Sequence, residues 1–138
     1  MLVRLVYASQ AHVAVTPEVF DDILNVSRRK NAQTGITGVL CTNGHVFLQL
    51  LEGSRAAVNQ LYGRILRDPR HRDVQLLHFE EIHERKFASW SMGRVTLDRI
   101  NTAIVLKYSP SAELDPFSVS GTASVALLEE LMQSAHVS

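Results

Sequence analysis

The sequence predicts an α+β fold, a ferredoxin-like β-α-β-β-α-β sheet with an appended fifth strand, two helices on one face and a C-terminal helical extension on the other. Three observations carry this. The apolar pattern alternates between a period of two and a helical period in the order β-α-β-β-α-β-β. Start and stop signals bracket two of the helical stretches. The strand Val46-Phe47-Leu48-Gln49-Leu50-Leu51 is apolar on both alternating faces, so a second layer must cover the side away from the helices.

Residues 2–9 (LVRLVYAS) are apolar and β-branched and read as the first strand. Thr16-Pro17-Glu18 opens a helix with a hydroxyl cap, a proline at the first helical position and a carboxylate in the first turn. Phe20, Ile23, Leu24, Ser27 and Asn31 recur at helical spacing, and Gly35 stops that helix. Strands over 36–42 and 45–51 are joined across Asn43-Gly44, a hairpin signal. Ser54 caps a second helix carrying Val58, Leu61, Tyr62 and Ile65, closed by Pro69. A fourth strand follows at about 73–82 and a short one around Trp90 to Val95. Right-handed crossovers place both helices on one face. An apolar segment at 102–108, a polar linker from Ser109-Pro110 to Pro116, and a helix over 122–136 with Val125, Leu128, Leu131 and Met132 on one stripe supply the second layer.

The chain of 138 residues, 46% hydrophobic and 20% charged, suits a single compact unit. Its formal charge of zero gives no long-range field toward nucleic acid or an anionic membrane. The basic runs Arg28-Arg29-Lys30 and Arg67 to Arg72 therefore read as solvated helix ends. One cysteine, Cys41, excludes an intramolecular disulfide. No apolar run is long enough for a signal peptide or a membrane span, so a soluble cytoplasmic protein is expected.

Polar residues stand where apolar ones are expected. Gln49 lies on the most buried strand between Phe47 and Leu51, and an unpaired buried amide costs ~1–3 kcal/mol. Its ordinary reading is an amide satisfied by neighbours. Asn31 shares the stripe of Ile23, Leu24 and Ser27, ordinarily as a helix C-terminal cap. Tyr7 is in phase with Val3 and Leu5, ordinarily as a core tyrosine with one hydrogen bond. Arg64 and Asp68, four apart, ordinarily form a surface ion pair. Together they aim amide, phenol and charged groups at one cleft walled by Ile23 and Ile65, which suits a planar heterocyclic ligand. Residue patterning leads to a ligand pocket and no further.

These residues resemble the BLUF family, flavin-binding sensors of blue light, in its short stand-alone form. The matching stretches run in order: Leu5-Val6-Tyr7-Ala8-Ser9; Asn31 followed by Gly35-Ile36-Thr37-Gly38; Phe47 through Gly53; Asp68-Pro69-Arg70-His71; Arg85-Lys86-Phe87; and Trp90-Ser91-Met92. The tail segment Val105 to Ser109 is also similar to that of the short members. The resemblance implies a flavin domain over 1–96 and a helical extension over 97–138. It implies an isoalloxazine ring between Ile23 and Ile65, with Asn31 at its pyrimidine edge and Gln49 between Tyr7 and the N5/C4=O edge. Tyr7, Ser27, Lys30, Arg64, Asp68 and His71 complete the implied cofactor set. FAD is the implied cofactor, with FMN or riboflavin as alternatives. The implied chemistry is electron and proton transfer from Tyr7, then rearrangement of Gln49, leaving the flavin unreduced but differently hydrogen-bonded at C4=O. Cys41 is then a small core residue rather than a flavin-attacking thiol. Trp90 and Met92, two apart and expected on one sheet face, belong to the photoactive set, and the resemblance implies that either one of them approaches the flavin. Output is expected through the fifth strand and tail to a downstream protein in trans, with self-association into a homo-oligomer, and without catalysis, nucleic acid or membrane.

Two other readings compete. A small acylphosphatase-like hydrolase needs a phosphate-cradling loop with glycines and an arginine after the first strand, and Gln10-Ala11-His12-Val13-Ala14 has neither. His71-Arg72-Asp73 lacks every other kinase element, and His78-Phe79-Glu80 lacks the paired cysteines of a zinc deaminase. The six histidines show no metal-ligand spacing. A flavin-free interaction module is the third reading, and Tyr7, Asn31 and Gln49 together speak against it.

Overall fold

The computed structural model describes residues 1–96 and 102–134. Strand β1 (Leu2–Ala11) leads into helix α1 (Pro17–Thr34), then β2 (Thr37–Thr42), β3 (Val46–Ser54), α2 (Arg55–Arg67), β4 (His71–Ile82) and β5 (Gly93–Thr96). Helix α3 (Thr102–Tyr108), a short 3-10 turn (Pro116–Ser118) and α4 (Gly121–Ser134) follow. The sheet order is β4-β1-β3-β2-β5, antiparallel throughout except for the parallel β2–β5 pair. This is the ferredoxin-like arrangement with one strand added at the β2 edge. The expected domain boundary after residue 96 and the last two residues of the expected final helix lie outside the described residues.

Local chemistry sets the helix ends. Thr16 Oγ1 accepts the Val19 amide at 3.3 Å, Pro17 takes the first helical position, and Gly35 closes α1 at φ 75°, the left-handed conformation that glycine adopts freely. Ser54 Oγ accepts the Ala57 amide at 3.1 Å to start α2. That helix ends at Arg67, because Asp68 precedes a proline and is extended (φ −78°, ψ 121°). The β2–β3 connection is wider than a two-residue turn. Thr42 pairs with Phe47, and Asn43 Oδ1 accepts the amides of His45 and Val46 at 2.9 and 3.0 Å, replacing the ladder bonds of a tight hairpin. The fifth strand begins at Gly93 rather than Trp90. Before it, the Trp90 amide bonds back to Phe87 O at 3.3 Å, a turn rather than a ladder.

The sheet separates two cores. On the helix side Val3, Leu5, Tyr7, Phe47, Leu51 and Met92 pack against Phe20 and Leu24 of α1 and Val58 and Ile65 of α2. On the other side Val6, Ala8, Cys41, Leu48 and Leu50 are covered by Leu127, Leu128, Leu131 and Met132 of α4, with Val105 of α3. Both faces of β3 are thereby buried, as its unbroken apolar run requires. Cys41 is fully buried on the tail side, and burial pushes its thiol far above the ordinary range, so it carries no thiolate.

A polar cleft between the two helices

The strand register brings the chemistry together. Tyr7 on β1 lies directly across from Gln49 on β3, and Gln49 across from Leu40 on β2. Cross-strand partners share a face, so phenol and carboxamide both point toward the helices. The Tyr7 hydroxyl donates to Gln49 Oε1 at 2.5 Å. The other end of the amide, Nε2, donates to Met92 Sδ at 3.4 Å. A thioether sulfur accepts and cannot donate, so this pairing fixes the amide nitrogen toward Met92 and the oxygen toward Tyr7. The buried amide thus has the partners that its position demands.

Above this pair lies a cleft of ≈ 280 Å³ between α1 and α2. Every residue of the expected cofactor set lines it: Tyr7, Ile23, Ser27, Lys30, Asn31, Gln49, Arg64, Ile65, Asp68 and His71. Ile23 comes from α1 and Ile65 from α2, so the cleft has an apolar side chain on each helical wall, the Asn31 amide on the α1 side and the Gln49 amide at its floor. Such a lining fits a flat heterocycle with a polar edge.

Asn31 is not a helix-terminal cap, because α1 continues to Thr34. It is buried, and its Nδ2 donates to Ser91 O at 2.8 Å. One turn earlier Arg28 Nε donates to Met92 O at 3.0 Å, so part of the basic run holds backbone instead of facing solvent alone. Helix α1 therefore grips two successive carbonyls of the segment that delivers Met92.

Asp68 does not pair with Arg64. Leaving the helix at the pre-proline position turns its carboxylate toward Arg70, whose Nη2 donates to Oδ2 at 2.6 Å and whose Nε lies 3.0 Å away. The Arg70 hydrogen bond is the main reason why the Asp68 carboxyl sits below its ordinary range; the same bond raises Arg70. His71 Nδ1 shares a hydrogen bond of 2.7 Å with Ser9 Oγ, and its ring lies 4.8 Å from that of Phe47. Burial lowers the His71 pKa and keeps the imidazole neutral at neutral pH. Burial also drives the Tyr7 phenol well above its ordinary value, with the Asp68 charge adding to the effect.

Arg70, Val26, Leu40, Phe47 and Leu61 also line the cleft, without having been expected there. Phe47 and Leu40 were legible, since Phe47 is in phase with Gln49 and Leu40 sits opposite it. Arg70 was not, since its position depends on where α2 stops. Trp90 and Met92 do not share a face. Met92 is in the helix-side core against Gln49, whereas Trp90 packs with Phe87 in the tail-side core, ring centroids 6.5 Å apart. Strict alternation fails here because both precede β5.

The chain is similar to known proteins in sequence and in fold. The family model for BLUF, described as sensors of blue light using FAD, matches residues 2–93. The photoactivated adenylate cyclase subunit beta of Euglena gracilis is 38% identical over 102 residues, which is 73% of this chain and 12% of the cyclase subunit. The blue light- and temperature-regulated antirepressor BluF of Escherichia coli (strain K12) is 33% identical over 92 residues, 67% of this chain and 23% of BluF. The chain thus spans a minor part of these curated relatives. The structure of BlsA in its photo-activated state superposes with a TM-score of 0.85 at 31% identity, covering 100% of this chain and 99% of that one.

Proposed function

From the premise that the chain belongs to the BLUF family of blue-light sensors, we propose that it senses blue light through a flavin held non-covalently between α1 and α2, with Tyr7 and Gln49 as the photoactive pair. The observation that carries the reading is the buried hydrogen bond from Tyr7 to Gln49 at the floor of an amide-lined cleft. Ile23 and Ile65 flank the ring. Asn31, its Nδ2 engaged by Ser91 O, offers its oxygen to a ligand N–H. Lys30, Arg64, the Asp68–Arg70 pair and His71 take the more polar end of the ligand, and FAD rather than FMN or riboflavin follows the family's description.

A bound flavin supplies a strong oxidant on absorbing blue light. Everything else belongs to the chain. Tyr7 is held protonated by burial, so its oxidation must release a proton, and the only acceptor placed on that hydroxyl among the described contacts is Gln49 Oε1. An amide that takes a proton at oxygen can release one at nitrogen toward the ligand edge; when the electron and a proton return, the Tyr7 phenol is restored and the amide is left in a rotated or tautomeric form. Nε2 then no longer needs the Met92 thioether, and the bond that Gln49 offers to the ligand edge changes. Residues 1–96 form the sensing part and 97–138 the output part. The signal passes to another protein, as the antirepressor and cyclase contexts of the relatives suggest, and the chain self-associates.

The test is the absorption spectrum of purified protein with chromatography of the flavin released on denaturation. One flavin per chain is expected, with a red shift of its bands under blue light that Tyr7→Phe abolishes while retaining the flavin. A colourless protein that takes up no flavin, or a full shift in Tyr7→Phe, contradicts the reading.

A further inference from the structure

Glu52 is fully buried on the face of β3 opposite Gln49, yet it is a carboxylate. Its directly opposed partner on β1 is Arg4, whose Nε and Nη2 each lie 2.8 Å from Glu52 Oε2. Arg4 also pairs with Glu80 on β4. A buried ion pair alone is weak evidence of a role, because apolar residues of similar size commonly serve as well. Here the carboxylate has a second task. It accepts two successive backbone amides of the β4–β5 connection, Lys86 N at 3.1 Å on Oε2 and Phe87 N at 2.8 Å on Oε1.

Those amides begin the segment that ends at Met92. Phe87 O accepts the Trp90 amide, and Trp90 O accepts the Gly38 amide of β2 at 3.1 Å. Ser91 O and Met92 O are then gripped by Asn31 and Arg28. The segment is pinned at its start by Glu52 and at its end by α1, and between the pins it delivers the thioether to Gln49 Nε2. Four donors converge on two oxygens. An amide at position 52 would set an NH2 against some of them, so a carboxylate is required by donor count and not by charge alone.

We propose that Glu52 is a positioning residue for the photoactive pair: by anchoring the Lys86 and Phe87 amides it fixes Met92 against Gln49. This rests on the sensor reading above for its consequence in light, but its structural half stands apart from light.

The test uses the full flavin-loaded chain, labelled at methionine methyl groups. The sequence has three methionines, Met1, Met92 and Met132, so the Met92 resonance is identified by its loss in Met92→Leu. In Glu52→Gln the Met92 resonance should shift or broaden in the dark, and recovery after a blue pulse should change on the order of tenfold. The double variant Glu52→Gln/Met92→Leu should recover at the rate of Met92→Leu alone. If Glu52→Gln does not fold, Glu52→Asp serves; it keeps the charge for Arg4 but is one methylene short of reaching the 86–87 amides as well, and the same shift or broadening of the Met92 resonance is expected. A Met92 resonance that matches wild type in either variant, or independent effects that multiply in the double variant, overturns the proposal. Wild-type protein that fails to respond to light contradicts the sensor reading instead, and the Met92 resonance still decides the role of Glu52.

Discussion

At the residue scale, the amide of Gln49 stands between two groups of opposite demand, a phenol that donates and a sulfur that only accepts. Gln49→Leu removes both bonds and leaves the Tyr7 hydroxyl buried without its partner, at a cost of ~1–3 kcal/mol. The variant should retain flavin and lose the light-induced shift, read by absorption spectroscopy; a preserved shift would remove the amide from the mechanism. His71 gives a pH prediction. Its folded pKa lies below the ordinary 6.5 because burial disfavours the cation. The unfolded chain then binds more protons than the folded one as pH falls through about 6.5. Stability is full above that value, declines as pH drops through it, and levels off below the folded pKa. Melting temperatures of wild type and His71→Gln should therefore converge or cross between pH 8 and 5, and parallel profiles would refute the assignment. Tyr7, Asn31 and Gln49 were legible in the sequence because each is a polar residue in phase with apolar neighbours. Arg70 was hidden because its pairing with Asp68 exists only once the helix has stopped.

At the scale of elements, close backbone approach governs β2 and β5. A Cβ on Gly38 would come within 2.0 Å of Leu50 O, which belongs to the sheet and cannot move aside. A Cβ on Gly93 would come within 2.3 Å of Met132 Cε, the tip of a flexible side chain. Gly93→Ala should therefore cost ~1–3 kcal/mol, and Gly93→Ala/Met132→Ala should be destabilised by less than the sum of its two single changes, because the second removes the group that the first strikes. Denaturant unfolding of these variants and of Gly38→Ala checks this, and a neutral Gly38→Ala would contradict the packing described. Gly93 also shows why the last strand was misplaced by sequence. Alternation through Trp90, Met92 and Arg94 looks extended, but Phe87 O takes the Trp90 amide and bends the chain just before pairing begins.

At the scale of the whole molecule, the sheet is a partition with the cleft on one side and the tail helix on the other. The sequence disclosed this plan through β3, whose two apolar faces demand two covers, and through the helix signals at Thr16, Gly35 and Ser54. It did not disclose which side Trp90 takes, since that follows from the turn before β5. Trp90 lies with α4 in the tail-side core while Met92, two residues on, touches Gln49. Trp90→Ala should therefore change dark recovery or the response of the tail far more than flavin uptake; loss of flavin in that variant would make Trp90 part of the cleft's support.

The proposed function requires that light alter what Gln49 offers the flavin edge without reducing the flavin. Light-minus-dark infrared difference spectroscopy of the flavin-loaded protein reads this directly through the flavin C4=O stretch. A downshift of that band in wild type, absent in Gln49→Leu, is the predicted result. A C4=O band that stays in place on illumination, or one that moves equally without Gln49, would contradict it.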